Sequence, residues 1–163
     1  MNTPQKIAKH FREVYFGGNW TASCVQQQME DVDLSEALQE VYDLNSIARL
    51  FCHLHYYTHV VLKVLQGGRL EAKDEVSFHV PEFKSSKEWE AWKQEAWKEA
   101  EAFATAVELL SEDKLNEFFC EEKYGIYYRN LHGIIEHSHY HLGQIALLKK
   151  ILRRHHGETP KGL

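Results

Sequence analysis

The sequence predicts an all-α protein with the architecture of a four-helix bundle. Four long segments carry apolar residues at the three- and four-residue spacing of an amphipathic helix. Proline, which interrupts helices, occurs at only three of the 163 positions, namely Pro4, Pro81 and Pro160. Apolar residues make up 44% of the chain, which is enough for one hydrophobic core, so we expect residues 1–163 to form a single domain.

The first long helix has a start signal at its amino end. Pro4 suits the first turn of a helix, and we expect Thr3 to be the N-terminal cap. The glycine pair at positions 17–18 should end this helix. From about residue 19 to residue 41 the pattern predicts short helical pieces, broken near residues 31–33.

The second long helix should begin near Asn45 or Ser46, either of which can cap it, and should end at the glycine pair 67–68. Its apolar face consists of Ile47, Leu50, Phe51, Leu54, Val61 and Leu65. The main loop follows at residues 70–85, where residues 76–80 have the composition of a brief extended piece.

The third and fourth long helices complete the predicted bundle. Ser85 or Ser86 should cap the third helix, which we expect to end near residues 111–113. The fourth helix should run from about residue 125 to residue 154, where the chain becomes polar.

Charge and aromatic spacing argue against a nucleic-acid-binding protein. The formal net charge is −5, whereas a duplex-binding surface needs a basic stripe. The spacing of Trp89, Trp92 and Trp97 predicts that they do not all face one way, and they lie among Glu and Lys residues. We therefore do not expect a stacking platform for nucleobases.

The sequence predicts neither a membrane protein nor a secreted one. No stretch approaches the roughly 20 continuous apolar residues of a membrane span, and residues 1–5 lack the apolar core of a signal peptide. The three cysteines, Cys24, Cys52 and Cys120, form no CxxC pair, and such a sparse, odd count is typical of reduced thiols. We therefore expect a cytoplasmic protein.

Eleven histidines are the unusual feature of the composition, and a pair in the fourth helix is the most informative. With about 100° of rotation per residue, His137 and His141 fall at the centre of the apolar face, whereas His132 and His139 point to the opposite side. That apolar face consists of Ile134, Ile145, Leu148 and Leu152. Two histidines one helical turn apart can bind one metal ion together. The alternative is a buried pair that hydrogen-bonds to its neighbours.

A metal held by side chains usually needs a third protein ligand, and the second helix offers candidates. His55 and His59 form a rival pair at the same spacing, but they lie away from the apolar face, so we expect them at the surface. Periodicity alone does not decide between His53 and His55. The other histidines are expected to be solvent, loop or tail residues: His10, His79, His155 and His156.

Three stretches of the sequence resemble the DinB-like (YfiT-like) superfamily of bacterial metalloenzymes. They are residues 18–21 (Gly-Asn-Trp-Thr), residues 45–67 around His53, and residues 132–145. The last stretch is the most specific, because the HxxxH motif from His137 to His141 is followed by Gly-Gln-Ile. Together the stretches cover most of the chain between residues 18 and 151.

The resemblance implies a four-helix bundle, commonly dimeric, in which three histidines hold one divalent metal ion. Carried over to this chain, the ligands are His53 of the second helix and His137 and His141 of the fourth. The choice of His53 over His55 rests on the resemblance alone. The chain departs from the family pattern at Asp43, Tyr57 and Ser138, none of which removes a ligand.

Three imidazoles leave positions on a metal for water or substrate, which is typical of a catalytic site. Nitrogen ligands favour zinc or nickel, with iron and manganese as alternatives. The resemblance implies transfer of a low-molecular-weight thiol, such as bacillithiol or mycothiol, to small electrophiles. The alternatives are a metal-dependent hydrolase that uses metal-bound water and a non-catalytic bundle stabilised by its metal.

The remaining expectations concern the general base and the partners. Three candidate bases, Gln144, Tyr140 and Tyr57, are placed near the metal only by helix phase. We expect a small-molecule substrate, no nucleic-acid or membrane partner, and a homodimer.

Overall fold

The computed structural model of the chain describes residues 1–155, and this part is all-helical, as predicted. The helices are α1 (Thr3–Phe16), α2 (Val25–Met29), α3 (Leu34–Leu38), α4 (Ile47–Leu65), α5 (Asp74–Ser77), α6 (Ser86–Glu108) and α7 (Tyr127–His155). Two short 3-10 turns, Asp113–Asn116 and Glu122–Tyr124, connect α6 to α7. Helix α1 packs against α6 and α7, and α4 packs against the same two helices. These four long helices therefore surround the main core.

The caps of the long helices show where local sequence determines a helix start. The predicted cap of α1 is wrong by one residue, because Asn2 rather than Thr3 occupies that position. The Asn2 side chain accepts a hydrogen bond from the backbone N–H of Gln5, and the Gln5 side chain accepts one from the N–H of Asn2. Ser46 caps α4 and Ser85 caps α6, so in both cases one of the two predicted residues is the cap.

The loop between α4 and α6 contains helix α5, not the extended piece predicted for residues 76–80. Val76 lies in the helix, and its carbonyl accepts a hydrogen bond from the N–H of His79 just beyond it. Ser77 is buried although the surrounding loop is largely exposed. Helix α5 places Ser77 against His53 of α4, a tertiary contact that the spacing of apolar residues does not predict.

The aromatic residues of α6 gather around one ring of α4, contrary to the predicted divergence of the tryptophans. The ring centroids of Trp89, Trp92 and Trp97 lie 6.1, 5.3 and 5.0 Å from that of Phe51. Positions separated by three and eight residues span an arc of only about 140° on a helix, so all three side chains reach one neighbour. Trp89 and Trp97 are buried in the core and Trp92 is half-buried.

Within residues 1–155, no helix combines the length and the apolar composition that crossing a membrane would require.

Candidate metal centre

The structure brings together the three histidines that the resemblance implies as ligands. His53 projects from α4, and His137 and His141 project from α7. One nitrogen or more from each ring lies within 4.8 Å of the others, and in the described part of the chain this is the only such group of three potential ligands. The ring centroids are 4.8 Å apart for His53 and each of the other two, and 4.5 Å apart for His137 and His141.

Helix α7 turns its histidines inward because they share a face with its core residues. The four apolar residues predicted for this face are buried: Ile134, Ile145, Leu148 and Leu152. His141 is buried with them, and His137 is half-buried at the edge of the same face. The prediction that His137 and His141 face the interior is therefore confirmed.

Ser77 of α5 determines which nitrogen of His53 carries the proton. The Ser77 hydroxyl donates its hydrogen to the backbone carbonyl of Asp74, 2.7 Å away. Its oxygen lies 3.0 Å from Nδ1 of His53 and must therefore accept a hydrogen bond from that nitrogen. The proton of His53 is then on Nδ1, which leaves the lone pair on Nε2 free for a metal.

His141 is held in the same tautomer by a neighbour on its own helix. Its Nδ1 lies 2.6 Å from Oε1 of Gln144, and an amide oxygen can only accept a hydrogen bond. Nε2 of His141 is therefore unprotonated as well. Gln144, a candidate general base in the sequence, is engaged in positioning a histidine.

The contact between His53 and His137 fits a metal particularly well. Their Nε2 atoms are 2.9 Å apart. Two lone pairs repel each other at this distance, so either a proton or a cation must lie between them. Since His53 carries its hydrogen on Nδ1, the proton belongs to His137 when no metal is bound, and a metal ion would replace it.

Burial keeps these imidazoles neutral near pH 7. Desolvation, together with the neighbouring histidines, lowers the pKa of His53 and that of His137 to about 4. Burial also lowers the pKa of His141, although the hydrogen bond to Gln144 acts in the opposite direction. A metal therefore does not have to displace three protons, because the donor set consists of neutral rings.

Asp74 and Phe78, in and next to α5, form one wall of the site, and no sequence pattern identified them. Phe78 stacks on His53 with ring centroids 3.8 Å apart and planes inclined by 8°. Tyr57 packs edge-on against both His53 and His137, and its hydroxyl donates to the carboxylate of Asp74. Desolvation and Asp74 raise the pKa of Tyr57 to about 12, so this candidate base is protonated and serves as a donor. The ring of Tyr140, the third candidate base, lies 4.9 Å from that of His141.

The structure corrects the predicted surroundings of the remaining histidines. His55 and His59 are not free surface residues, because α6 covers their face of α4 and presents Glu99 to both. His132 and His139 lie away from the three-histidine group, but both are half-buried, and His139 lies beside His10 of α1. His10 and His79 are exposed, as expected. The predicted polar tail at His155 and His156 lies outside the described side chains.

No protein-family model, curated protein or solved structure matches the chain. Membership of the DinB-like superfamily is therefore a proposal that rests on the motifs in the sequence. Independently of that resemblance, the three histidines lie close enough together to hold a metal ion.

Proposed function

We propose that the chain is a DinB-like four-helix bundle that transfers a low-molecular-weight thiol to small electrophiles with the help of a bound divalent metal, zinc or nickel. The observation that carries this proposal is the donor set, which consists of three neutral imidazoles. Two of them, His53 and His141, are held by hydrogen bonds in the tautomer that frees Nε2.

The ligand chemistry favours a Lewis-acidic metal. Nitrogen donors select zinc or nickel over calcium and magnesium, which prefer oxygen. Because the ligands carry no charge, they leave the full double charge of the ion to attract an anion. When bound, such a cation supplies a positive charge that keeps a coordinated thiol in its nucleophilic thiolate form.

Two of the three cysteines, Cys24 and Cys52, are buried and are poor candidates for the nucleophile, which supports a thiol supplied from solution. Cys52 lies in α4 immediately before His53, but burial raises its pKa to about 12. Cys24 is also buried, and neither belongs to the three-histidine group. In the proposed reaction a carbon–sulfur bond forms as the bond between carbon and leaving group breaks, and the thiol proton passes to solvent.

The positions of the neighbouring side chains are consistent with access from one side. Ser77 and Phe78 close the site behind His53, where both contact the ring. Tyr140, by contrast, is 65% exposed beside His141. We infer that thiol and acceptor approach along α7, on the side of the site away from Ser77 and Phe78.

The test combines metal analysis with a transfer assay. Protein purified without added metal is analysed for its metal content, and release of chloride from 1-chloro-2,4-dinitrobenzene is then followed with bacillithiol as co-substrate. We expect metal-dependent transfer that is lost in His141→Ala and retained in His10→Ala, a control on an exposed histidine of α1. Metal binding with ester hydrolysis but no thiol transfer would favour the hydrolase instead. Metal binding with neither activity, and with no effect of azide on the spectrum of cobalt-substituted protein, would indicate a structural metal.

A further inference from the structure

We propose that a cavity between α4, α6 and the segment around α5 is a second small-molecule site, which binds an uncharged aromatic compound. The cavity has a volume of about 460 Å³, and pockets that bind small molecules usually measure roughly 300 to 1,000 Å³. None of the histidines of the three-histidine group is among the described residues that line it. Binding to this cavity therefore does not depend on the proposed transferase activity.

The residues that line the cavity become more exposed from its floor to its rim. Cys52 of α4 and Ser77 of α5 are buried and form the floor. The side walls consist of His55 and Tyr56 of α4 and Trp92 of α6, all of which are half-buried. This gradation describes a cup that a ligand can enter from solvent.

Exposed residues of the segment at 76–81 form the rim. Val76, His79 and Pro81 line the cavity and are exposed. Val76 is 49% exposed, although valine is among the residue types most often buried in proteins. A ligand in the cavity would cover this side chain and remove apolar surface from water, which favours binding.

The walls suit a flat aromatic ligand. Trp92 stands edge-on to His55, with ring centroids 5.2 Å apart and planes inclined by 83°. A third ring beside this pair can stack on one of them and contact the edge of the other, which are the arrangements that aromatic rings prefer. The Tyr56 hydroxyl accepts a hydrogen bond from the backbone N–H of Lys73 at 2.7 Å. Accepting that bond does not use the hydroxyl hydrogen, which can be donated to a polar group of the ligand.

The absence of charge in the lining favours an uncharged ligand. In the described part of the chain, no Asp, Glu, Lys or Arg side chain lines the cavity. An ion that enters it therefore loses hydration without gaining a partner of opposite charge. An anion is disfavoured further, because the Glu99 carboxylate lies 3.5 Å from Nε2 of His55 in the wall.

The cavity shares Ser77 with the three-histidine group. The Ser77 hydroxyl accepts the hydrogen bond from Nδ1 of His53 at 3.0 Å, and the same residue forms part of the cavity floor. The chain leading to it is exposed from residue 71 to residue 76, so a ligand seated against Val76 and Ser77 adds contacts that hold this segment in place. Occupancy of the cavity should thus favour the tautomer of His53 that binds a metal, and a bound metal should favour the ligand equally. This coupling rests on the proposed metal site.

The experiment titrates metal-free protein with 2-naphthol and follows the indole N–H signal of Trp92 by NMR. We expect saturable one-to-one binding. 2-Naphthoate has the same rings but carries a charge, so it should bind roughly tenfold more weakly. Val76→Glu places a carboxylate at the rim and should weaken the binding of 2-naphthol by a similar factor. Leu109→Glu is the matched control, because Leu109 is an exposed apolar residue that follows α6 and does not line the cavity.

Three results would overturn the aromatic site. The first is the absence of saturable binding up to the solubility limit of 2-naphthol. The second is binding that stays unchanged in both Val76→Glu and Trp92→Leu, which would place the ligand elsewhere; circular dichroism confirms that both variants are folded. The third is equal affinity for 2-naphthol and 2-naphthoate, which would refute the uncharged class.

Zinc affinity, measured by chelator competition with and without saturating 2-naphthol, tests the coupling. We expect zinc to bind roughly fivefold more tightly when the cavity is occupied. An unchanged zinc affinity would refute the coupling and leave the aromatic site intact. Failure of the protein to bind zinc at all, with 2-naphthol still bound, would refute the proposed metal function alone.

Discussion

Replacing Ser77 by alanine tests whether the tautomer of His53 is set from outside the metal site. The Ser77 hydroxyl is buried and accepts the hydrogen bond from Nδ1 of His53 at 3.0 Å. Without that acceptor, the metal-free protein can move the proton to Nε2, and a metal must then compete with it. Loss of such a supporting hydrogen bond typically weakens metal binding roughly 10- to 100-fold, which corresponds to about 1.4 to 2.7 kcal/mol.

The assay is a zinc affinity measured by chelator competition, with nitrogen NMR of the histidine ring as a direct report on the tautomer. The matched control is Ser138→Ala, since Ser138 is also buried and donates to a helix carbonyl, that of Ile134, at 2.7 Å. Ser77→Thr restores the hydroxyl and should recover most of the affinity. If Ser77→Ala binds zinc as tightly as Ser138→Ala, and His53 keeps its proton on Nδ1, the proposed role of Ser77 is wrong.

Four further predictions address stability, the remaining histidines and assembly. The pKa of His53 and that of His137 are about 4 in the folded protein and 6.5 in their ordinary state, so the unfolded chain binds more protons between these values. Metal-free protein should therefore lose stability as the pH falls from 6.5 towards 4, and chemical denaturation that is independent of pH in this window would contradict the assignment. Chelator should lower the melting temperature of wild-type protein but not of His141→Ala, because a bound metal ties α4 to α7; equal shifts in both would exclude this site as the source. His132→Ala and His139→Ala should bind zinc as tightly as the wild-type chain in chelator competition, and a large loss of affinity in either variant would place a ligand on the opposite side of α7. Light scattering at micromolar concentrations should give the mass of a dimer, and a monomer mass throughout would refute the predicted assembly.

The sequence revealed those parts of the site that lie on a regular helix with a clear apolar face. His137 and His141 could be placed because the helix period relates them to Ile145 and Leu148, which are buried beside them. The choice between His53 and His55 could not be made in this way. Both lie on flanks of α4, and each flank is covered by a different long helix, so the decision depends on packing between helices.

The spacing of apolar residues could not predict which residues of the loop after α4 contact the three-histidine group. Ser77 lies 24 positions after His53, and its hydrogen bond depends on the path of an irregular segment. Phe78 and Asp74 reach the site by the same route. No local pattern identifies a buried serine in a polar loop, because its burial results from the contact itself. The position of Glu99 opposite His55 and His59 likewise required knowledge of how α6 lies against α4.

The distance along the chain between the two halves of the three-histidine group affects how a metal acts on folding kinetics. His53 precedes His137 by 84 positions, although their rings are in contact. Bringing such distant segments together carries a loop-closure cost, so the group is complete only after α4 and α7 have docked. Interactions that form late, after the rate-limiting step, slow unfolding without speeding folding. A metal held by this group would therefore prolong the lifetime of the folded state rather than guide the chain towards it.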